Sequence, residues 1–259
     1  MRDIDDSQAP LLDHLIELRR RLLFSLLAIG VAFGACFYFS EQIFAFLVQP
    51  LLVAGQKRII FTQIFEAFLV QVKVAFFAAM MLSFPVIANQ LWQFVAPGLY
   101  RSEKRALLPF LLATPVLFLA GAALAYYVTI PVALHFSLSY QGNMGGVQQE
   151  ALPSVAAYLS FVMQFLFAFG LAFLLPVLLM LLELSGIVTR AQLVSARRYA
   201  IVAAFAISAV LTPPDVWSQL LLAIPLVLLY EIALIGIWFT ERKRARNAPG
   251  DEDEDEAKA

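Results

Sequence analysis

Long apolar stretches alternate along this chain with short connections that carry most of its charge. The apolar stretches cover residues 22–39, 68–92, 106–130, 158–182, 199–211 and 216–239. About 20 apolar residues in a helix cross the hydrocarbon core of a bilayer, and none of the six stretches has the two-residue alternation of a barrel strand. The pattern therefore predicts an all-α integral membrane protein with six transmembrane helices.

Composition excludes several other classes of protein. Hydrophobic residues make up 61% of the 259 residues and charged residues 14%, whereas soluble domains have roughly 45–50% and about 25%. The net charge of −1 argues against a nucleic-acid partner, and the single cysteine excludes a disulfide framework. No nucleophile has a base beside it and no metal-ligand spacing occurs, so we expect neither an enzyme nor a cofactor.

The distribution of basic residues predicts the orientation in the membrane. Fifteen of the 18 Lys and Arg residues fall in alternate connections, and basic residues in short loops stay in the cytoplasm. Both termini are therefore expected to be cytoplasmic, with the connections near 40–66, 131–157 and 212–216 outside. Residues 1–21 are expected to form an amphipathic cytoplasmic segment, 22–239 the membrane domain, and 240–259 a disordered acidic tail.

The spans are predicted to be kinked, and the fifth is unusually short. About 14 residues separate Arg198 from Pro213, which gives roughly 21 Å of helix against roughly 30 Å of hydrocarbon. Prolines inside a helix remove a hydrogen-bond donor and bend it. They lie at Pro85, Pro109, Pro115, Pro176 and Pro225.

Two cytoplasmic glutamates each allow two interpretations. Glu17 lies beside a stripe of leucines between residues 11 and 22, four residues before Arg21, and such a pair stabilises a helix by about 0.2–0.5 kcal/mol. Glu103 follows Ser102, a candidate helix cap, and the first turn of a helix favours an acid. Either carboxylate is equally suited to a cationic partner.

Charged residues within or beside the spans raise an alternative function. Glu66 and Lys73 are seven residues apart and so share one helix face. A mid-helix lysine costs about 2.5–3.5 kcal/mol on insertion, so Lys73 is expected to snorkel or to point into the protein. Lys73 and Glu231, in the second and sixth spans, would suit a proton-coupled small-solute transporter. Many such carriers have a detectable internal repeat, and this sequence has no convincing one.

Four motifs, in order along the chain, resemble the TatC family, the polytopic receptor subunit of the twin-arginine protein translocase. The resemblance covers roughly residues 10–239. The motifs are residues 14–21 (HLIELRRR), Glu66-Ala67-Phe68 with Lys73, Pro85-Val86-Ile87 with residues 90–100 (QLWQFVAPGLY) and Glu103, and residues 211–215 (LTPPD).

The resemblance implies a cup-shaped arrangement of six helices in the bacterial cytoplasmic membrane. Such a subunit binds folded cargo proteins that carry an Arg-Arg signal peptide and exports them with the proton-motive force. It works with single-span partners of the TatA and TatB type, with surrounding lipid and with further copies of itself, and it needs no cofactor.

Site residues also follow from the resemblance. Glu17 and Glu103 would meet the two arginines of the signal, because a carboxylate accepts the planar guanidinium fork in a bidentate way. Around them would lie Arg19, Phe94, Leu99, Tyr100 and Arg101. Contacts with partner helices, or structural roles, are expected for Pro50, Glu66, Lys73, Leu174, Val202, Phe205, Asp215 and Gln219.

The fourth span departs from the family pattern at one position. Family members commonly have Phe-Glu-x-Pro there, whereas this chain has Phe173-Leu174-Leu175-Pro176. Gln164 and Glu183 lie ten and nine residues from Leu174, on other parts of the helix surface. Neither is expected to replace the missing glutamate directly.

Overall fold

The computed structural model describes residues 5–56, 58–95, 104–144, 147–149, 152–212 and 216–247, and most of these residues are helical. The helices are α1 (Asp5–Tyr38), α2 (Ser40–Val53), α3 (Glu66–Val95), α4 (Lys104–Leu124), α5 (Ile130–Leu138), α6 (Val155–Ala172), α7 (Leu175–Leu184), α8 (Arg190–Ser195), α9 (Arg197–Leu211) and α10 (Val216–Asn247). A π-helical segment, Ala125–Thr129, joins α4 to α5. A short hairpin pairs β1 (Gly142–Met144) with β2 (Val147–Gln149), antiparallel.

Within the described residues, five stretches are long and apolar enough to cross a membrane. They are Leu15–Tyr38, Glu66–Phe94, Ala113–Leu138, Val155–Leu184 and Val216–Arg242. The remaining predicted span is α9, whose 15 residues extend over only about 22 Å. The helical fold class is confirmed, and α9 is as short as the sequence predicted.

Four element boundaries differ from the prediction. One is the end of the sixth span, because α10 continues to Asn247 and so includes the first eight residues of the segment 240–259 that was expected to be disordered. The connection 40–66, expected as an external loop, contains the 14-residue helix α2, because apolar residues recur there at helical spacing and bury Leu47 and Leu51. The amphipathic segment and the first span form the single helix α1. The third span does not end at Ile130: the π-helical segment leads directly into α5, which ends at Leu138.

Prolines explain two interruptions of the helices. Pro131 and Pro176 each lie in the first turn of a helix, α5 and α7 respectively, where a missing N–H costs nothing. Before Pro131 the backbone widens into the π-helical segment, and Ile130 N–H donates to the carbonyl of Ala125. Before Pro176 the helix breaks, and Leu174 N–H donates to the carbonyl of Leu171 at 3.0 Å.

Pro50 has a structural role that involves a distant tyrosine. It lies inside α2 and is buried, and because it has no N–H it cannot donate to the carbonyl of Phe46, four residues earlier. The hydroxyl of Tyr126 donates to that carbonyl instead, at 2.6 Å. The rings of Phe46 and Tyr126 also stack, with centroids 4.4 Å apart, so the π-helical segment and α2 are joined at this point.

The largest core cluster lies where α2, α3, the π-helical segment and α6 meet, with Phe165 and Phe169 fully buried. Glycines allow α4 and α6 to pack closely. A Cβ atom on Gly121 would lie 2.4 Å from the carbonyl oxygen of Phe169, and one on Gly170 would lie 2.6 Å from the ring of Phe118. Small residues at such contacts are typical of helices packed in a membrane.

Candidate functional site

A polar cavity of about 320 Å³ lies where the N-terminal half of α1 passes the last turns of α3. We call this end of the bundle the Glu17 end, and the opposite end, where α3 and α6 begin, the Glu66 end. The cavity is lined by Glu17, Arg20, Arg21, Phe24, Gln90 and Gln93. Because five of its six lining residues are charged or polar, this cavity is suited to a charged or polar ligand.

Arg21 is one of the lining residues, and its guanidinium group binds acceptors on both helices. Its Nε donates to Glu17 Oε1 at 3.1 Å, and its Nη2 forms a short ion pair with the same oxygen. Its Nη1 donates to Gln93 Oε1 at 2.9 Å and to the carbonyl oxygen of Gln90 at 3.5 Å. Gln93 Nε2 donates to Asn89 Oδ1 at 3.1 Å, which turns the amide oxygen of Gln93 toward the arginine.

The groups in the cavity that attract a cation are the Glu17 carboxylate and the end of α3, whereas Arg20 and Arg21 contribute positive charge. The C-terminal end of a helix carries partial negative charge, and the cavity lies beside the last two turns of α3, next to the Glu17 carboxylate. The Glu17 side chain is 35% exposed and that of Arg21 18%, so the ion pair is accessible from solvent. The ion pair that the spacing of Glu17 and Arg21 predicted is present. Its partial exposure gives solvent access to the Glu17 carboxylate.

The other residues expected at the signal site are only partly placed. Arg19 is exposed on α1 and does not line the cavity, while Phe94 is half-buried next to Gln93 on α3. Glu103, Leu99, Tyr100 and Arg101 lie outside the described residues, as does Asp215. The sequence reasoning did not single out Gln90 and Gln93, although two polar residues three apart at the end of an apolar span were a usable signal.

Glu66 is held in place by hydrogen bonds at the opposite end of the bundle. It is buried and accepts hydrogen bonds from Thr62 N–H, Thr62 Oγ1–H at 2.8 Å and Gln63 N–H at 3.1 Å. Its second oxygen accepts from Ala156 N–H at 2.8 Å. One carboxylate therefore joins the start of α3 to the first turn of α6, which is a structural role.

Lys73 is exposed and lies in an apolar groove between α1 and α3. Glu66, seven residues earlier, is buried by its own loop, and the structure shows no ion pair between the two residues. Glu231 forms an ion pair with Arg197, at 2.9 Å between Oε2 and Nη2. Among the residues that the structure describes, neither Lys73 nor Glu231 belongs to a polar cluster of the kind that a solute carrier requires.

Three of the residues expected to meet partner helices or to have structural roles, Val202, Phe205 and Gln219, lie on α9 or contact it. Val202 is 67% exposed and Phe205 is half-buried. Gln219 Nε2 donates to the carbonyl of Phe205 at 3.3 Å, and Gln164 Nε2 donates to the carbonyl of Leu211 at 3.1 Å. These amides attach the short α9 to α10 and α6.

Known proteins with similar sequences identify the family. A family model described as "Sec-independent protein translocase protein (TatC)" matches residues 13–225. A Magnetococcus marinus protein named Sec-independent protein translocase protein TatC is 49% identical over 249 residues, covering 95% of this chain and 90% of that protein. The chain belongs to the TatC family. An Escherichia coli K12 relative of the same name is 40% identical over 239 residues, covering 92% and 90%.

Solved structures agree with this assignment. One described as "Crystal Structure of Twin Arginine Translocase Receptor- TatC" matches with a TM-score of 0.72 at 41% identity, covering 86% of this chain and 96% of that one. A second, of the receptor in DDM, matches with a TM-score of 0.74 at 40% identity, covering 86% and 98%. Membership of TatC makes the chain a multi-pass membrane component of a protein translocase rather than an enzyme, and nothing supports the solute-transporter alternative.

Proposed function

We propose that this chain is the receptor subunit of a twin-arginine translocase and that the Glu17 cavity binds an arginine of the signal peptide of folded cargo. The observation that carries the proposal is the guanidinium group already held between the Glu17 carboxylate and the Gln93 amide oxygen. The solved relatives are described as twin-arginine translocase receptors, which supports the same function.

The chemistry of the cavity favours arginine over lysine. A guanidinium presents several N–H donors in one plane and reaches two acceptors at once, whereas an ammonium is a compact point charge. Glu103, directly before α4, is proposed to meet the second arginine of the signal. Arg19, Phe94, Leu99, Tyr100 and Arg101 are proposed to surround the pair.

Replacing Glu17 tests this function. Binding of a synthetic Arg-Arg signal peptide to the full chain in detergent is measured for wild type and Glu17→Gln. Loss of the charge is expected to weaken binding roughly thirtyfold, which corresponds to about 2 kcal/mol. This value is near the lower limit for a charge pair, because the cavity is partly solvated. The matched control is Glu41→Gln, an exposed acid on α2. Wild-type affinity in Glu17→Gln would contradict the proposal.

The orientation that this function needs places the Glu17 end in the cytoplasm, in the cytoplasmic membrane of a bacterium. The division of basic residues supports it. Single cysteines at positions 102 and 145, in a Cys36→Ala background, are expected to react with a membrane-impermeant reagent from the inside and from the outside respectively. Labelling of position 102 from outside would reverse the orientation.

α9 is proposed to dock a single-span partner of the TatA or TatB type. It is too short to match the bilayer, and exposed Val202 and Val210 lie on its surface, so a partner helix would cover apolar area that lipid covers poorly. Photo-cross-linkers at Val202 and Phe205 should capture such a partner, and a cross-linker at buried Ala204 should not. Capture of only lipid or a further copy of the chain would contradict this docking.

Leu174 is proposed to be a tolerated departure from the family's glutamate. It is half-buried at the break between α6 and α7, where an unpaired acid would cost about 2.5–3.5 kcal/mol. In a reporter-export assay with the chain's own partners, Leu174→Glu is expected to leave export unchanged, and Gln164→Leu serves as the comparison. A several-fold rise in export with Leu174→Glu would overturn this reading.

A further inference from the structure

The structure places an arginine of the chain itself in the cavity that the proposed function assigns to an arginine of the signal peptide. We propose that Arg21 is an intramolecular competitor of the signal peptide, and that Gln93 is a second acceptor for whichever guanidinium occupies the cavity. This inference rests on the proposed function. It adds that Arg21 sets how tightly a signal peptide must bind in order to occupy the site.

The acceptors form a site for a guanidinium rather than for a cation in general. We call Glu17 Oε1, Gln93 Oε1 and the carbonyl oxygen of Gln90 the guanidinium site. Its members come from two helices, and Arg21 reaches them with three different nitrogens: Nε and Nη2 to the carboxylate, Nη1 to the two α3 oxygens. An ammonium has no planar fork that spans the carboxylate and the amide in this way.

The amide of Gln93 is oriented as an acceptor without help from Arg21. Its nitrogen donates to Asn89 Oδ1, one turn earlier on the same helix, so its oxygen remains turned into the cavity when the arginine leaves. An incoming guanidinium therefore finds the same oxygen in the same position. This prior orientation is what makes Gln93 a candidate ligand of the signal rather than only a partner of Arg21.

Arg21 can leave the guanidinium site without a change in the backbone. Its pair with Glu17 joins side chains one turn apart on α1, and both are partly exposed. Exposed pairs of this kind are weak, and a flexible side chain can rotate into water. The signal can bind only to molecules in which Arg21 has left the site. Its apparent affinity is therefore the intrinsic affinity multiplied by the fraction of such molecules.

A resident arginine lowers the apparent affinity for arginine and lysine signals by the same factor, because either must wait for Arg21 to leave the site. The preference for arginine therefore comes from the acceptors themselves. An arginine can satisfy the carboxylate and the amide with one side chain, and a lysine makes fewer of these hydrogen bonds.

The test compares two arginines of the same cavity. Arg20 also lines the cavity, but it lies over the ring of Phe24 with its Cζ 5.7 Å from the centroid. Arg20→Gln therefore measures the effect of removing one positive charge. In the full chain in detergent, Arg21→Gln is expected to bind a synthetic Arg-Arg signal peptide roughly three- to tenfold more tightly than Arg20→Gln does, because only Arg21→Gln vacates the site.

Two further measurements complete the test. The ratio of affinities for Arg-Arg and Lys-Lys peptides should stay the same in Arg21→Gln, because the competitor lowers both affinities by one common factor. Gln93→Leu in that background should weaken Arg-Arg binding severalfold. If Arg21→Gln binds no more tightly than Arg20→Gln, Arg21 is not a competitor. A several-fold change in the affinity ratio would show instead that Arg21 contacts the bound peptide, and it would also overturn the competitor. Unchanged binding with Gln93→Leu would overturn the second acceptor.

Glu17→Gln separates failure of this inference from failure of the proposed function. If Glu17→Gln keeps wild-type affinity, the cavity does not bind the signal and the proposed function itself fails. If Glu17→Gln loses binding but Arg21→Gln gains none relative to Arg20→Gln, the signal site stands and only the competitor is wrong. Thermal unfolding of each variant confirms that the compared chains are folded.

Discussion

The two ends of the bundle each hold a glutamate in a polar environment, but they hold it with different kinds of donor. Glu66 is 3% exposed and accepts from three backbone N–H groups and one hydroxyl. The Glu17 side chain is 35% exposed and accepts from one flexible arginine side chain. The first carboxylate is fixed by the fold, and the second is paired with a group that can move away.

This difference separates a structural charge from one that is available for binding. Backbone donors cannot leave without unfolding the segment that carries them, so a carboxylate bound to them offers nothing to a ligand. A side-chain donor can be replaced by a similar group from another molecule. The two glutamates share a residue type and a position near an end of the bundle, and they differ in burial and in the origin of their donors.

The comparison predicts its largest effect at Glu66. Glu66→Ala removes the acceptor of Thr62, Gln63 and Ala156, and buried N–H groups without acceptors are strongly destabilising. The thermal midpoint of the detergent-solubilised chain is expected to fall by roughly 5–10 °C. Glu41→Gln, at an exposed acid on the neighbouring helix α2, should leave the midpoint unchanged. A midpoint for Glu66→Ala equal to that of this control would remove the contrast between the two ends.

A second, smaller effect is expected at Tyr126 and Pro50, which lie in the same half of the molecule. Tyr126→Phe removes the donor to the carbonyl of Phe46 and should cost about 1–1.5 kcal/mol. In a Pro50→Ala background the new backbone N–H can donate to that carbonyl, so the same change should cost less. A double-mutant cycle measured by thermal unfolding should give a coupling of at least about 0.5 kcal/mol. Additive effects would show that Pro50 does not create the need for Tyr126.

The Arg197–Glu231 pair should behave like the pair at Glu17, because both partners are side chains and both are exposed, at 50% and 40%. Glu231→Gln is expected to lower stability by only about 0.5 kcal/mol. Screening by salt should remove the difference from wild type. A loss several times larger that persists in high salt would place Glu231 with Glu66 as a fixed structural charge.

The smallest effect on stability is expected at Glu17 itself. Glu17→Gln breaks a partly exposed i to i+4 pair worth about 0.3–0.5 kcal/mol, so the thermal midpoint should move by roughly 1–2 °C at most. The same variant is expected to lose most of its signal-peptide affinity. A large fall in the midpoint would show that Glu17, like Glu66, is needed for the fold.

Much of the fold was predictable because its signals are local. The length of each apolar stretch and the absence of alternation predicted the spans, including the short α9. Helix α2 was missed because its 14 residues are too few to cross a bilayer and lie in a connection, although apolar residues recur there at helical spacing. The extension of the third span to Leu138 depends on the π-helical segment, which forms to accommodate Pro131.

The site was less predictable from the sequence than the fold was. The motif around residues 14–21 pointed to Glu17, and spacing predicted its pair with Arg21. Gln93 was not recognised, because hydropathy treats a polar residue at the end of a span as a surface residue whatever it contacts. Its hydrogen bond to Arg21 joins residues 72 positions apart in the chain.

The sequence alone determined that this protein is helical, lies in a membrane and resembles TatC, because span length, charge distribution and motif order are read along the chain. Only the tertiary structure decided which glutamate is fixed and which can exchange its partner. Glu66 receives a donor from Ala156, 90 residues away, and the Arg21 guanidinium reaches across to α3. Hydrogen bonds depend on distance in space, so these contacts form only when the helices pack and bring the groups together.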